Sequence, residues 1–314
     1  MSVAFVFPGQ GSQSVGMGRA LAEAYAPARQ VFEEVDAALG DKLTAIMWDG
    51  PADKLTQTEN AQPALVAVSL AAMRVLEIEA GVDLARDAQF VAGHSVGEFS
   101  ALAAAGSLSY ADAVRLVRIR GCAMQRAVPP GTGAMAALIG VDFAEAAEIA
   151  VAAAQGQICQ AANDNGGGQV VISGDKAAVE RAVAIARDKG VKRVMMLPVS
   201  GPFHSSLMQP AAEIMADALA QVMLRPPSVP LVSNVLARPT ADPKEIVDGL
   251  VAQVTGTVRW RESIIVMAEA GVTLVYEVGS GKVLSALIRR IAEGVNAVAI
   301  GSPDQVAAFK AARG

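Results

Sequence analysis

Histidine and cysteine are scarce in this chain, with two of each among 314 residues. The cysteines, Cys122 and Cys159, are too few for a disulfide framework and do not stand in a metal-binding motif, which is typical of a protein from a reducing compartment. Because no histidines, cysteines or carboxylates share one helix at ligand spacing, we expect no metal site. Any catalytic imidazole must belong to His94 or His204.

An excess of basic charge and long apolar runs are also lacking. The net charge is −5 at pH 7, whereas nucleic-acid-binding domains usually have a basic face, so we expect no nucleic-acid partner. The beginning, MSVAFVF, has no basic segment and only a short apolar one, which argues against a signal peptide. No run approaches the ~18 apolar residues that span a bilayer. We expect a cytoplasmic protein with no membrane partner, and a monomer.

Small apolar residues are abundant instead. Hydrophobic residues make up 53% of the chain and aromatic residues only 4%, and short apolar runs alternate with helical patterns, which predicts βα units on a mainly parallel sheet. The predicted strands of this part are 3–7, 89–92, 231–233, 273–278 and 297–300. The predicted helices are 63–79, 97–105, 110–128, 207–223, 260–270 and 282–291.

The middle of the chain follows another pattern. Residues 128–198 contain predicted strands at 134–139, 158–162, 169–173 and 193–198, with two helices that begin after the N-caps Asp142 and Asp175. This strand-helix-strand-strand-helix-strand order is ferredoxin-like. We therefore predict an α/β protein with a discontinuous large domain, residues 1–127 and 199–314, and an inserted ferredoxin-like domain, residues 128–198.

Two glycine-rich segments look like phosphate-binding loops but fail in detail. The segment FPGQGSQSVGMG lies between a predicted strand and a helix, yet a dinucleotide fingerprint would need a third glycine where the chain has Ser14. In EVGSGKVL, Lys282 is followed by Val283 rather than by the serine or threonine of a P-loop. Neither segment predicts a nucleotide site.

The segment Gly93-His94-Ser95-Val96-Gly97 lies between a predicted strand and a predicted helix. A G-x-S-x-G sequence in that position is typical of a nucleophile elbow, a tight turn that exposes the serine hydroxyl above the edge of the sheet. The N–H of Val96 would then point at the same space as an oxyanion donor. The alternative is a plain glycine-lined turn.

A serine nucleophile needs a base, and His204 is the better candidate. His94 directly precedes the serine, so its side chain should point away from the hydroxyl. His204 lies in a loop before a predicted helix, where a capping or solvent-facing role is the alternative. Since no acidic residue near His204 completes a triad, a backbone or side-chain carbonyl could orient the imidazole.

Arg120 falls in the apolar arc of the helix predicted at 110–128. A guanidinium in that position is costly unless it meets an anion. The anion could be a buried carboxylate such as Glu98, or the carboxylate of a substrate held by a bidentate clamp. Together with Ser95 and His204, Arg120 indicates acyl transfer to or from a substrate that carries its own carboxylate.

Six segments, in order, resemble the malonyl-CoA–acyl carrier protein transacylases of bacterial fatty acid synthesis. They are FPGQGSQ, GHSVGE, RGCAMQ, GTGAMAA, PVSGPFHSSLM and EVGSGKVL, and they cover nearly the whole chain. The acyltransferase domains of polyketide synthases share them more loosely. The resemblance implies an α/β-hydrolase-like large domain with a parallel sheet plus an inserted ferredoxin-like (βαββαβ) small domain.

The resemblance also implies ping-pong chemistry. Ser95 would attack the thioester carbonyl of malonyl-CoA, His204 would accept its proton, and a malonyl-serine ester would form. The phosphopantetheine thiol carried by the partner, acyl carrier protein, would then take the malonyl group. The enzyme itself would bind no cofactor, and malonyl-CoA and CoA would be its small-molecule partners.

Further roles follow from the same resemblance. Arg120 would bind the malonyl carboxylate, the N–H groups of Gln10 and Val96 would form the oxyanion hole, and the carbonyl of Gln253 would orient the imidazole. Phe203 fits the malonyl pattern better than the methylmalonyl pattern, in which a smaller residue is usual.

Met124 would line the pocket beside Phe203, although ordinary helix packing explains it equally well.

Two other function classes stay open. One is a serine esterase or thioesterase that uses the same elbow. The other is a non-catalytic carrier-binding protein.

Overall fold

Two β-sheets organise the chain in the computed structural model, which describes residues 2–313. In chain order, the strands in these residues are β1 (Ser2–Phe7), β2 (Phe90–Gly93), β3 (Gly133–Ile139), β4 (Cys159–Asp164), β5 (Gln169–Asp175), β6 (Arg193–Met196), β7 (Leu231–Val232), β8 (Pro239–Thr240), β9 (Val272–Val278) and β10 (Asn296–Ile300). The larger sheet has the order β10-β9-β1-β2-β7-β8 and is parallel except for the β7–β8 pair. The smaller sheet has the order β4-β5-β3-β6 and is antiparallel.

Helices separate most of these strands. In chain order they are α1 (Arg19–Ala24), α2 (Ala26–Leu39), α3 (Leu43–Asp49), α4 (Ala52–Thr56), α5 (Thr58–Ala80), α6 (Leu84–Asp87), α7 (Gly97–Ala104), α8 (Tyr110–Arg126), α9 (Phe143–Ala154), α10 (Lys176–Asp188), α11 (Gln209–Ala220), α12 (Pro243–Thr255), α13 (Trp260–Glu269), α14 (Val283–Ile291) and α15 (Pro303–Arg313). A 3₁₀ turn, Ser206–Met208, precedes α11. The protein is therefore a mixed α/β fold with one largely parallel and one antiparallel sheet.

Strand β1 lies at the centre of the larger sheet and has helices on both of its faces. Phe5 and Phe7 belong to one buried cluster, and Ala4 and Val6 belong to another that contains Trp260. Burial on both faces explains why the strand is almost uninterruptedly apolar. Because β1 pairs in parallel with β2, with Phe7 opposite Gly93, the loops that follow the two strands meet at one edge of the sheet.

Helix α5 contradicts the expectation that no segment of the chain approaches the length and apolarity of a membrane span. Its most apolar 18-residue window has a mean hydropathy of 1.4, so by length and composition this segment does reach the range of a membrane span. Within residues 2–313 it is the one helix that meets this test, and 83% of the window is buried inside the fold. A mostly buried core helix of a globular protein has the same properties, so the finding is weak evidence for a membrane span.

Helix α5 also begins five residues before the predicted start, at Thr58 instead of Pro63. A proline inside a helix removes the hydrogen bond to the carbonyl four residues earlier, which here belongs to Glu59. That carbonyl accepts a hydrogen bond of 2.9 Å from Nη1 of Arg118 instead. A side chain from α8 thus compensates for the lost backbone bond and lets the helix extend past the proline.

The small sheet and its two helices show the element order predicted for the middle of the chain, and they have a separate buried cluster of apolar residues. Asp142 caps α9, because its side chain accepts a hydrogen bond from the N–H of Glu145. The prediction that the side chain of Asp175 caps α10 is wrong. Asp175 stands at the start of α10 but makes no side-chain cap bond, and its carboxylate accepts from the N–H of Ile158.

The other predicted strands and helices are present with end shifts of a few residues. The predictions omitted the short strand β8 and several helices, of which α2, α12 and α15 are the longest. Helix α12 had a recognisable signal, since Asp242 caps it and Pro243 occupies its first position. This omission matters because α12 carries Gln253.

Candidate active site

Ser95 occupies a tight turn between β2 and α7. Its φ angle is 52°, a left-handed conformation that is strained for a residue with a side chain. The flanking glycines are required by close approach. A Cβ atom on Gly93 would lie 1.9 Å from the carbonyl carbon of Gly97, and one on Gly97 would lie 2.2 Å from the carbonyl oxygen of Phe7. This strand-turn-helix geometry, with a strained serine at its tip, is that of a nucleophile elbow rather than of a plain turn.

Asn234 holds this turn from the loop after β7, and the sequence analysis missed it. Its Oδ1 accepts a 2.7 Å hydrogen bond from the N–H of Ser95, and its Nδ2 donates at 2.7 Å to the carbonyl of Gly93. The side chain is fully buried. A signal was present, because strands β2 and β7 end at the same edge of the sheet and a polar residue after β7 is expected to face that edge.

His204 is buried beside Ser95. Its Nε2 lies 2.7 Å from Oγ of Ser95, and its Nδ1 lies 2.8 Å from the carbonyl oxygen of Gln253. A carbonyl can only accept, so Nδ1 carries the hydrogen and the lone pair of Nε2 faces the hydroxyl. His204 also has a left-handed backbone, with φ at 57°. Burial, and secondly the charge of Arg120, lower the pKa of His204 to about 3.

The other histidine points elsewhere. Nε2 of His94 lies 2.8 Å from Oδ1 of Asn165, and the ring packs edge-on against Trp260. Burial lowers the pKa of His94 as well. Of the two imidazoles, only that of His204 contacts the hydroxyl of Ser95.

Arg120 extends from α8 to the same hydroxyl and is fully buried. Its Nη1 donates to Oε1 of Gln62 at 2.8 Å, and its Nη2 donates to Oε1 of Gln253 at 2.8 Å and to Oγ of Ser95 at 3.1 Å. Its Nε–H has no partner within residues 2–313. Burial lowers the pKa of Arg120 to about 10, partly offset by the charge of Glu98, so the guanidinium stays charged at neutral pH.

These contacts replace the direct salt bridge to Glu98 that was one alternative for Arg120. The carboxylate of Glu98 accepts instead from the N–H of Asn234 and from Nε2 of Gln253. Helix α8 can bring Arg120 this close because of Gly121. A Cβ at that position would lie 2.6 Å from the carbonyl oxygen of Thr58 in α5.

Ser95 and His204 lie on the wall of a cavity of about 440 Å³ between the two sheets. Gln10 and Phe203 line it, together with Met135 and Val171 from the small sheet and Leu284 and Leu287 from α14. The backbone N–H groups of Gln10 and Val96 donate no hydrogen bond within the described part of the chain.

Met124 is not among the residues that line this cavity. It is buried, and its sulfur accepts a hydrogen bond from Nε2 of Gln62, which agrees with ordinary packing. In residues 2–313, no three histidine, cysteine, aspartate or glutamate side chains come together in a metal-binding arrangement.

Comparisons with known proteins identify the family of this chain. The family model of the acyl transferase domain matches residues 4–308. The malonyl CoA-acyl carrier protein transacylase of Escherichia coli K12 is 47% identical over 305 residues, which are 97% of this chain and 97% of that protein. The crystal structure of an acyl-carrier-protein-S-malonyltransferase from Bartonella henselae is 54% identical, with a TM-score of 0.97 over 100% of this chain and 99% of that one.

A third relative was solved as a complex. It is a malonyl-transacylase bound to its type II PKS acyl-carrier protein, 40% identical with a TM-score of 0.95, and the match covers 99% of this chain and 100% of that one. All three comparisons extend over almost the full length of the chain. The protein therefore belongs to the acyl transferase family, among the malonyl CoA-acyl carrier protein transacylases, and is an acyltransferase.

Proposed function

We propose that this enzyme transfers a malonyl group from malonyl-CoA to the phosphopantetheine thiol of an acyl carrier protein, supplying extender units for fatty acid synthesis. One observation supports this most strongly: Oγ of Ser95 contacts both the imidazole of His204 and the guanidinium of Arg120. A base and a fixed positive charge at one hydroxyl suit a nucleophile whose acyl group carries a carboxylate. The identities of the malonyl group, CoA and the carrier protein are inferred from the names of the relatives.

In the first half-reaction, Oγ of Ser95 attacks the thioester carbonyl while Nε2 of His204 takes the hydroxyl proton. The N–H groups of Gln10 and Val96 stabilise the oxyanion of the tetrahedral intermediate. When the carbon–sulfur bond breaks, the protonated His204 returns the proton to the CoA sulfur. The products are free CoA and a malonyl ester on Ser95.

The second half-reaction repeats these steps with a different nucleophile. Nε2 of His204 takes the proton of the phosphopantetheine thiol as its sulfur attacks the ester carbonyl. The intermediate collapses by releasing Oγ of Ser95, which recovers a proton from His204. The carbonyl of Gln253 keeps the imidazole in one tautomer throughout. These steps use side chains and backbone groups of the chain, and we propose that the enzyme binds no cofactor.

Arg120 and Phe203 are proposed to select the acyl group. The guanidinium has a spare donor at Nε and lies beside the hydroxyl to be acylated, so it can bind the malonyl carboxylate. Phe203 lines the cavity that contains Ser95 and His204 and would crowd an α-methyl group, which is worth only ~1–3 kcal/mol of selectivity. The position of Met124 gives no support for a direct role in the pocket.

We further propose that the larger sheet with its helices is an α/β-hydrolase-like domain and that residues 128–198 form an inserted ferredoxin-like domain. The antiparallel order of the small sheet and its separate apolar cluster support this division. A cytoplasmic location and a monomeric state remain part of the proposal, in keeping with substrates that are themselves soluble.

The proposed reaction is tested by incubating the enzyme with malonyl-CoA in the presence of acyl carrier protein and measuring both malonyl transfer and hydrolysis. We expect transfer to be faster, because a carbonyl rather than a triad acid holds His204 and Arg120 lies beside Ser95. Hydrolysis at a rate equal to or above transfer would favour a thioesterase and contradict the proposal. Binding of the carrier without either reaction would favour a non-catalytic protein.

Replacement of Arg120 tests the selection of the acyl group. We expect Arg120→Ala to lower kcat/KM for malonyl-CoA on the order of 10- to 100-fold, as befits loss of hydrogen bonds to a charged group, and to improve acetyl-CoA relative to malonyl-CoA. Arg115→Ala is the matched control, because Arg115 lies on the same helix but faces outward. An unchanged malonyl-to-acetyl ratio in Arg120→Ala would assign Arg120 a purely structural role.

The depressed pKa of His204 predicts an unusual pH profile for Ser95. We expect the rate at which phenylmethylsulfonyl fluoride labels Ser95 to stay flat between about pH 5 and pH 7, because the imidazole remains neutral and able to accept a proton. The lowered pKa of His204 also reduces the free energy of unfolding as the pH falls from 6.5 towards 3, since only the unfolded chain then gains a proton at this site.

The control for this experiment is His204→Ala, which should be labelled slowly at every pH. A labelling rate that falls with the ordinary histidine pKa of 6.5 would contradict the assignment of a buried, neutral base.

A further inference from the structure

Glu98 is a buried carboxylate below the catalytic serine that the proposed mechanism does not use. It lies in the first turn of α7 and is 1% exposed. Both of its oxygens accept hydrogen bonds from N–H groups, one from the backbone of Asn234 and one from the side-chain amide of Gln253. Its ionised form, which only accepts, matches both donors.

The amide of Gln253 connects Glu98 to Arg120. Its Nε2 donates to Glu98 and, at 3.0 Å, to the carbonyl of Ser95, whereas its Oε1 accepts from Nη2 of Arg120 at 2.8 Å. If this amide were turned by half a rotation, its NH₂ group would face the guanidinium and its oxygen would face the carboxylate. Both contacts would be repulsive, so Glu98 determines the orientation in which Gln253 can accept from Arg120.

The carboxyl group of Glu98 also lies close to the buried guanidinium. Arg120 makes its direct hydrogen bonds to three neutral groups, and the carboxylate of Glu98 lies beyond one of them, across a single amide. Burial raises the pKa of Glu98 to about 8, while its two N–H donors and the charge of Arg120 act in the opposite direction. Arg120 and His94 both lower the pKa of His204, which contacts the same serine.

We propose that Glu98 is a positioning residue for selection of the acyl group: through Gln253, it holds the guanidinium of Arg120 against the hydroxyl of Ser95, where a carboxylate-bearing acyl group is bound. This proposal rests on the proposed function, in which the transferred acyl group carries a carboxylate. It assigns the selectivity to a relay of three side chains from α7, α12 and α8 rather than to Arg120 alone.

The test is Glu98→Gln, with kcat/KM measured for malonyl-CoA and for acetyl-CoA. The new amide has one acceptor oxygen for two N–H donors. We expect this oxygen to stay with the backbone N–H of Asn234, which cannot turn, so that Gln253 turns or loses its bond and no longer holds Arg120. We expect the malonyl-to-acetyl ratio to fall on the order of 10-fold, mainly through a higher KM for malonyl-CoA. Equal losses of kcat/KM for malonyl-CoA and acetyl-CoA, or an unchanged ratio, would overturn the proposal.

Asp36→Asn is the matched control. Asp36 is also a buried carboxylate that accepts two hydrogen bonds, from the N–H and the hydroxyl of Thr44, but it lies in α2, which contributes no residue to the active-site cavity. We expect this variant to keep the wild-type ratio. A fall equal to that of Glu98→Gln would attribute the effect to general loss of stability and overturn the proposal.

If Glu98→Gln does not fold, Gln253→Met replaces it in the test. Methionine removes the amide between Glu98 and Arg120 and leaves the backbone carbonyl that orients His204, so the ratio should fall in the same way, and an unchanged ratio overturns the proposal. Measurements on the wild type distinguish failure of the proposed function from failure of the proposal for Glu98. Absence of malonyl transfer in the wild type counts against the proposed function, whereas a wild-type preference that both variants retain counts against Glu98 alone.

Discussion

The hydroxyl of Ser95 is the point on which the site depends, because it hydrogen-bonds to two buried groups of very different character. The imidazole of His204 faces it with a lone pair, and the guanidinium of Arg120 donates to it. Both contacts require the serine to be held in a left-handed turn, which two close-packed glycines permit and Asn234 secures from both sides. The strain of this turn is sustained by the strand before it and the helix after it.

The second constraint is the placement of a full positive charge in the interior. A buried guanidinium is costly, and the chain compensates with polar side chains from separate elements: Gln62 from α5, Gln253 from α12 and, one step further, Glu98 from α7. The same charge helps to keep His204 neutral. Under the proposed function, Arg120 would serve two purposes: it would bind the substrate carboxylate, and its charge lowers the pKa of the neighbouring base.

The sequence predicted the residues whose chemistry stands out locally. Ser95 lies in a recognisable glycine pattern, His204 is one of two histidines, and Arg120 is a charged residue on the apolar face of a predicted helix. Gln62 could not be found in this way, because polar residues in a helix are common, and the signal for Asn234 becomes specific only once β2 and β7 are known to be neighbours. Their importance arises only when elements 58 and 139 residues apart in the chain come together at the elbow.

Local patterns misled where the tertiary structure overrides them. Pro63 predicted a helix start, but a side chain from α8 bonds the carbonyl that the proline leaves free, so the helix begins earlier. Asp175 stands at a helix start, as predicted, yet its carboxylate is used by the neighbouring backbone. Met124 lies on the buried face of α8, but that face contacts Gln62 and not the cavity.

The most direct test of this account is the intact mass of the enzyme after incubation with malonyl-CoA in the absence of carrier protein. We expect the wild type to gain ~86 Da, the mass of one malonyl group held as an ester on the nucleophile. Peptide mapping should place it on Ser95, and Ser95→Ala should show no gain. An adduct of the same mass that persists in Ser95→Ala would contradict the central claim.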